Sequence, residues 1–173
     1  MTRPPAEESP GLRAVGFDPG LAETGYAVLA DGRDGAAVLG VGVLRTRPAD
    51  PLELRLERLF DAIHGVLAAF APDLVVVEDV FTARAAPRAA ILMGHARGVI
   101  CLAGRQRKLV VVSITPAEVK RAVTASGAAG KGQVARAIQA ILRLPATPRP
   151  SHVADALALA FTGLSRARAA ARR

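Results

Sequence analysis

Asp18, Glu78 and Asp155 are the residues of this chain best placed to do chemistry. Asp18 closes the apolar run RAVGFD, and Glu78 closes the apolar run LVVVE. Asp155 lies near the start of HVADALALA, with His152 three residues before it and on the same helix face. Three acids brought from separate segments to one sheet edge, joined by one imidazole, form a donor set for Mg²⁺ or Mn²⁺. Two such ions, roughly 3.5–4 Å apart, activate water and stabilise the leaving oxygen of a phosphodiester. The chain around these acids carries a formal charge of +8, from 23 Lys and Arg against 15 Asp and Glu. An acidic pocket in a basic protein points to metal-assisted cutting of a polyanion such as DNA.

Each feature alone has a plainer explanation. A single DPG is an ordinary turn signal, and a single His in a first helical turn is commonly a surface residue. It is the coincidence of the four side chains that favours a metal site. Glu78 and Asp79 are adjacent in a strand and face opposite ways, so only one of them can serve a given pocket. Phe81, Arg84 and Arg88 follow Glu78. Phe81 suits either the core or stacking on an unpaired base, and the arginines suit phosphates. Lys120 and Lys131 flank the GAAGKG break, where they are either solvated lysines or holders of backbone phosphates, one of them near the scissile group. GAAGKG lacks the GxxxxGK[ST] spacing of a P-loop.

The elements that must position these groups follow from apolar periodicity. Residues 1–12 hold three prolines and read as a loose tail. RAVGFD, YAVLA and AAVLGVGVLRT, joined by short turns, predict an antiparallel meander. Leu52, Leu56, Leu59, Phe60, Ile63 and Leu67 recur at helical spacing. DLVVVEDV and KLVVVSI predict strands covered on both faces. Helices are expected from Pro87 to about Arg107, in TPAEVKRAV, in QVARAIQAILRL and in HVADALALAFTGL, where Ser151 could supply the cap. The expectation is one α/β domain over 13–163, a five-stranded mixed sheet with an antiparallel meander, parallel strands and helices on both faces. The segment 164–173 reads as a basic tail.

A single cysteine, Cys101, leaves no partner for an intramolecular disulfide and suits a reducing cytoplasm. No apolar run has the length of a membrane span, and the N-terminus has no apolar signal-peptide core.

FDPGLAETGYAVL, VVVEDVFTARAAPRAAILMGHARGVI, PAEVKRAVTASGAAGKGQV and LPATPRPSHVADALALA occur in this order. Together they resemble the signature segments of the RuvC family of Holliday-junction resolvases, within the RNase H-like nuclease superfamily, over roughly residues 13–163. The resemblance implies a homodimer that binds a four-way DNA junction and makes two symmetric, metal-dependent nicks by water attack. It places the catalytic carboxylates on Asp18, Glu78 and Asp155, with a fourth position, often Asp in the family, on His152. It places the stacking aromatic on Phe81 and basic DNA contacts on Lys120 and Lys131. Where the family often has Gln after the strand-end Glu, this chain has Asp79. The resemblance also implies a junction-binding protein and a branch-migration motor, RuvA and RuvB, as partners. The helix over 87–107, with Ile91, Leu92, Val99, Ile100 and Leu102, is apolar enough for both a core face and a dimer face.

Three other readings compete. A junction-binding protein with a dead site would bind without nicking. An actin-like phosphotransferase would need a second phosphate loop and lobe that this chain lacks. An RNase H-like nuclease for another nucleic acid would prefer a hybrid or plain duplex to a junction.

Overall fold

The computed structural model describes residues 11–33, 35–79 and 87–171. Five strands form one sheet: β1 (Arg13–Asp18), β2 (Glu23–Gly32), β3 (Gly35–Arg45), β4 (Leu74–Glu78) and β5 (Val110–Ile114). Their order is β3-β2-β1-β4-β5. β1, β2 and β3 pair antiparallel as a meander, whereas β4 pairs parallel with both β1 and β5. The helices are α1 (Leu52–Phe70), α2 (Pro87–Gln106), α3 (Pro116–Thr124), α4 (Lys131–Ile141) and α5 (Ser151–Ala171).

Strand alternation divides the core in two. Val15, Phe17, Val75 and Val77 face α1 and α2, and pack with Leu59, Ile63, Leu67, Ala96 and Ile100. Ala14, Val76 and Ile114 face the other way and pack with Val119, Val134, Ile138, Ala156 and Leu157 of α3, α4 and α5. Helices therefore cover both faces, as expected for strands with no polar face.

Two glycines set how closely α5 approaches the sheet. A Cβ on Gly16 of β1 would collide with the Ala156 carbonyl and the Ala160 nitrogen. A Cβ on Gly25 of β2 would collide with the His152 carbonyl. Ala154, Ala156, Ala158 and Ala160 are buried on the helix side of this contact. Backbone thus lies on backbone where His152 and Asp155 leave the helix.

Two boundaries differ from the sequence expectation. α5 begins at Ser151 itself, so Ser151 is the first helical residue rather than its cap. α5 also runs on to Ala171, so the stretch 164–171 is helix and not a basic tail. Leu164 is buried in the core, Arg166 donates to Glu118 at 2.7 Å, and Arg168 Nε donates to Asp31 at 2.6 Å. These partners lie far off in sequence, which is why local charge suggested an end. The expected tail over 1–12 falls almost wholly outside the described residues. No helix among the described residues is long and apolar enough to cross a membrane.

α3 opens with a capping box in which Glu118 accepts from the Thr115 backbone N–H at 2.9 Å and from its hydroxyl at 2.8 Å. These bonds, with Arg166, lower the Glu118 pKa from 4.5 to about 2. The folded value lies below the unfolded one, so this contribution to stability is complete above pH 4.5 and is lost as pH falls towards 2. Thermal unfolding of Glu118→Gln followed from pH 6 to pH 2 should show a lower Tm at pH 6 and a shallower fall on acidification than the parent. Parallel curves would contradict this linkage.

Candidate active site

Asp18 and Glu78 meet because β1 and β4 run parallel and end together. Phe17 pairs with Val77, so the next residues, Asp18 and Glu78, stand side by side at one sheet edge. Phe17 and Val77 face α1 and α2; Asp18 and Glu78 therefore point to the α5 side. Asp79 alternates back, and its carboxylate lies 3.2 Å from Arg97 of α2. Asp79 is outside the pocket, as alternation predicts.

α5 brings the other two groups. His152 Nδ1 lies 2.6 Å from Asp18 Oδ2, and Asp155 Oδ2 lies 3.4 Å from Lys131 Nζ. Lys131 is the first residue of α4, which the sequence expectation began two residues later. A cavity of about 400 Å³ is lined by Asp18, Glu78, His152, Asp155, Lys120 and Lys131, with Met93, Pro116 and Leu159 among its apolar walls. All four expected ligand positions and both lysines thus border one space. Arg88 is exposed in the first turn of α2 and is not among the described lining residues. Phe81 and Arg84 lie outside the described residues.

The side chains share this cavity without forming a closed cluster: among the described residues no three His, Cys, Asp or Glu are gathered as a metal group. What fits a cation is their chemistry and charge. Asp18 is buried, and burial is the main cause that raises its pKa, with Asp155 adding to it and His152 opposing it. Burial likewise pushes Glu78 up to about 7, helped by the charges of Asp18 and Asp155 and opposed by Lys131 and Lys120. Oxygen-rich donors crowded beyond what two lysines neutralise suit a hard divalent ion.

Sequence patterns missed Glu23 and Arg97. Glu23 Oε2 lies 3.8 Å from His152 Nε2, a proximity that depends on how α5 crosses β2. Arg97 also donates to Ser113 at 2.7 Å, which ties α2 to the β5 end. Neither belongs to a local motif, though the charged Arg97 within an otherwise apolar helix was a signal.

The raised Glu78 value has a measurable consequence. Its folded pKa lies above the unfolded 4.5, so its favourable contribution is complete below pH 4.5 and is lost as pH rises through about 7. In EDTA at pH 8, Glu78→Gln should be more stable than the parent by on the order of 1–2 kcal/mol, after discounting for water that reaches the side chain. The gain should shrink at pH 5; chemical denaturation at both pH values checks it, and an unchanged or lowered stability at pH 8 would contradict it.

Comparison with known proteins agrees with this arrangement. Residues 14–163 match the family model described as "Crossover junction endodeoxyribonuclease RuvC". The chain is 40% identical over 149 residues to the crossover junction endodeoxyribonuclease RuvC of Rhodopirellula baltica, covering 86% of this chain and 84% of that protein. The Thermus thermophilus RuvC structure superposes with a TM-score of 0.84 at 35% identity, covering 92% of this chain and 97% of that one. T. thermophilus RuvC in complex with Holliday junction substrate superposes with a TM-score of 0.85 at 36% identity, covering 92% and 96%. By fold, by the order of its signature segments and by these matches, the chain belongs to the RuvC family of crossover junction endodeoxyribonucleases.

Proposed function

We propose that this protein resolves four-way DNA junctions by paired, symmetric, metal-dependent nicks, acting in the cytoplasm on recombination and repair intermediates. The observation that carries this is the single cavity bordered by Asp18, Glu78, His152 and Asp155, in a chain of the RuvC family whose relative is described in complex with a Holliday junction. The net charge of +8 supplies the attraction to a dense polyanion.

In this reading Asp18, Glu78, Asp155 and His152 hold Mg²⁺ or Mn²⁺, two ions in each site. The bound ions supply activation of a water and stabilisation of charge on the leaving 3′ oxygen. The side chains divide the remaining work. The buried carboxylates at the strand ends keep their oxygens fixed on a rigid sheet, so little reorganisation is needed when the phosphate arrives. Lys131, on the Asp155 side of the cavity, offers its ammonium to the scissile phosphate, and Lys120 to the same backbone. Phe81, Arg84 and Arg88 follow Glu78 in the chain and serve the displaced base and the flanking phosphates.

A dimer follows from the substrate's shape, since a junction with approximate two-fold symmetry needs two equivalent sites. α2 supplies a surface for it. Ile100 is buried in the core, whereas Ile91 and Leu102 are 61% and 53% exposed. They are three turns apart and so share a face. Gly94 and Gly98 lie on that same side, where an added Cβ would meet nothing. RuvA and RuvB are the proposed protein partners on the junction.

Asp18→Asn should bind a labelled four-way junction with near-parent affinity but lose at least about a thousandfold in nicking rate. Parent protein should cut the junction in preference to an RNA·DNA hybrid or plain duplex. Normal cutting by Asp18→Asn would overturn the site, and a preference for hybrid would overturn the substrate. Leu102→Glu should shift the protein from dimer to monomer in analytical ultracentrifugation and uncouple the paired nicks; a dimer undisturbed by it would move the interface off α2.

A further inference from the structure

Glu23 is the first residue of β2 and sits directly opposite Arg45, the last residue of β3. Arg45 Nε donates to Glu23 Oε1 at 3.0 Å. The second oxygen, Oε2, is turned to His152 Nε2 at 3.8 Å, a charge contact rather than a hydrogen bond. The other ring nitrogen, Nδ1, lies 2.6 Å from Asp18 Oδ2. The imidazole therefore stands between two carboxylates. One is buried and borders the catalytic cavity; the other is half-exposed at the base of the β2–β3 hairpin. The close approach at Gly25 brings the His152 backbone against β2 itself, so the ring and Glu23 belong to the same contact between helix and sheet.

We propose that Glu23, steered by Arg45, is a positioning residue for His152: it takes the Nε2–H, so that Nδ1 is the nitrogen presented to the cavity beside Asp18. This rests on the reading of His152 as part of the cation-holding set. The reason is the asymmetry of the two ring nitrogens. Only one can carry the proton in neutral imidazole, and the neighbour that accepts that proton fixes which nitrogen keeps its lone pair. Asp18 borders the cavity with two further acids and is drawn into whatever binds there. Glu23 is not a lining residue, and its Oε1 is already occupied by Arg45, which leaves Oε2 for the ring. A carboxylate behind a histidine ligand raises its basicity and fixes its orientation, and its loss typically weakens metal binding about 10–100-fold. The cross-strand Glu23–Arg45 pair would thereby link an edge hairpin to the active site.

The test uses full-length protein without DNA, Mn²⁺ binding measured by electron paramagnetic resonance, and ¹⁵N resonances of the His152 ring. Glu23→Ala should weaken Mn²⁺ binding about tenfold and convert the ring from the Nε2–H tautomer to a mixture, while leaving Tm within error of the parent. In the His152→Asp background the same Glu23→Ala change should cost less than about threefold, the part due to screened charge alone. An unchanged tautomer in Glu23→Ala, or equal losses of Mn²⁺ binding in both backgrounds, would overturn the inference and leave His152 itself untouched. Unchanged Mn²⁺ binding in His152→Ala would overturn the role of His152, and the role of Glu23 with it.

Discussion

Backbone contact between α5 and the first two strands is the constraint on which the site depends. Gly16 and Gly25 leave no room for a Cβ under that helix, and the alanines of α5 match them from above. Were α5 lifted by one methyl layer, His152 and Asp155 would move away from Asp18 and Glu78 together. The parallel pairing of β1 with β4 supplies the other half. It aligns the ends of two strands at one edge, where ligand sites of parallel sheets gather. Packing and catalysis are thus set by the same contacts.

Those contacts hold like charges close. Burial raises Asp18 and Glu78, and each acid raises its neighbours further. Such a cluster opposes folding near neutral pH and is retained because its electrostatic field serves a cation and a phosphate. Lys131 and Lys120 moderate the field without removing it. The basic exterior answers a different need, long-range attraction of DNA, which decays with salt, whereas the pocket acts at contact distance.

Much of this was legible in the sequence. The continuous apolar runs before Asp18 and Glu78 could only be strands covered on both faces, and strand alternation alone separated Glu78 from Asp79. Helical spacing exposed α1, and the small residues of HVADALALA foretold a helix lying close to the sheet. The end of α5 was hidden because Arg166 and Arg168 look solvated until Glu118 and Asp31 arrive from elsewhere in the fold. Glu23 was hidden for the same reason. Its neighbours Arg45 and His152 are 22 and 129 residues away and meet it only through strand register and helix crossing. What sequence reading missed was the tertiary pairing of charges, which has no period.

The central claim is that these separate acids and the imidazole serve one divalent-ion centre. Anomalous scattering from crystals grown with Mn²⁺ tests it most directly. The account predicts manganese peaks within ligand distance of Asp18, with Glu78, Asp155 and His152 sharing the ions. Peaks confined to other surface carboxylates, with Asp18 and Glu78 free of metal at saturating Mn²⁺, would contradict it.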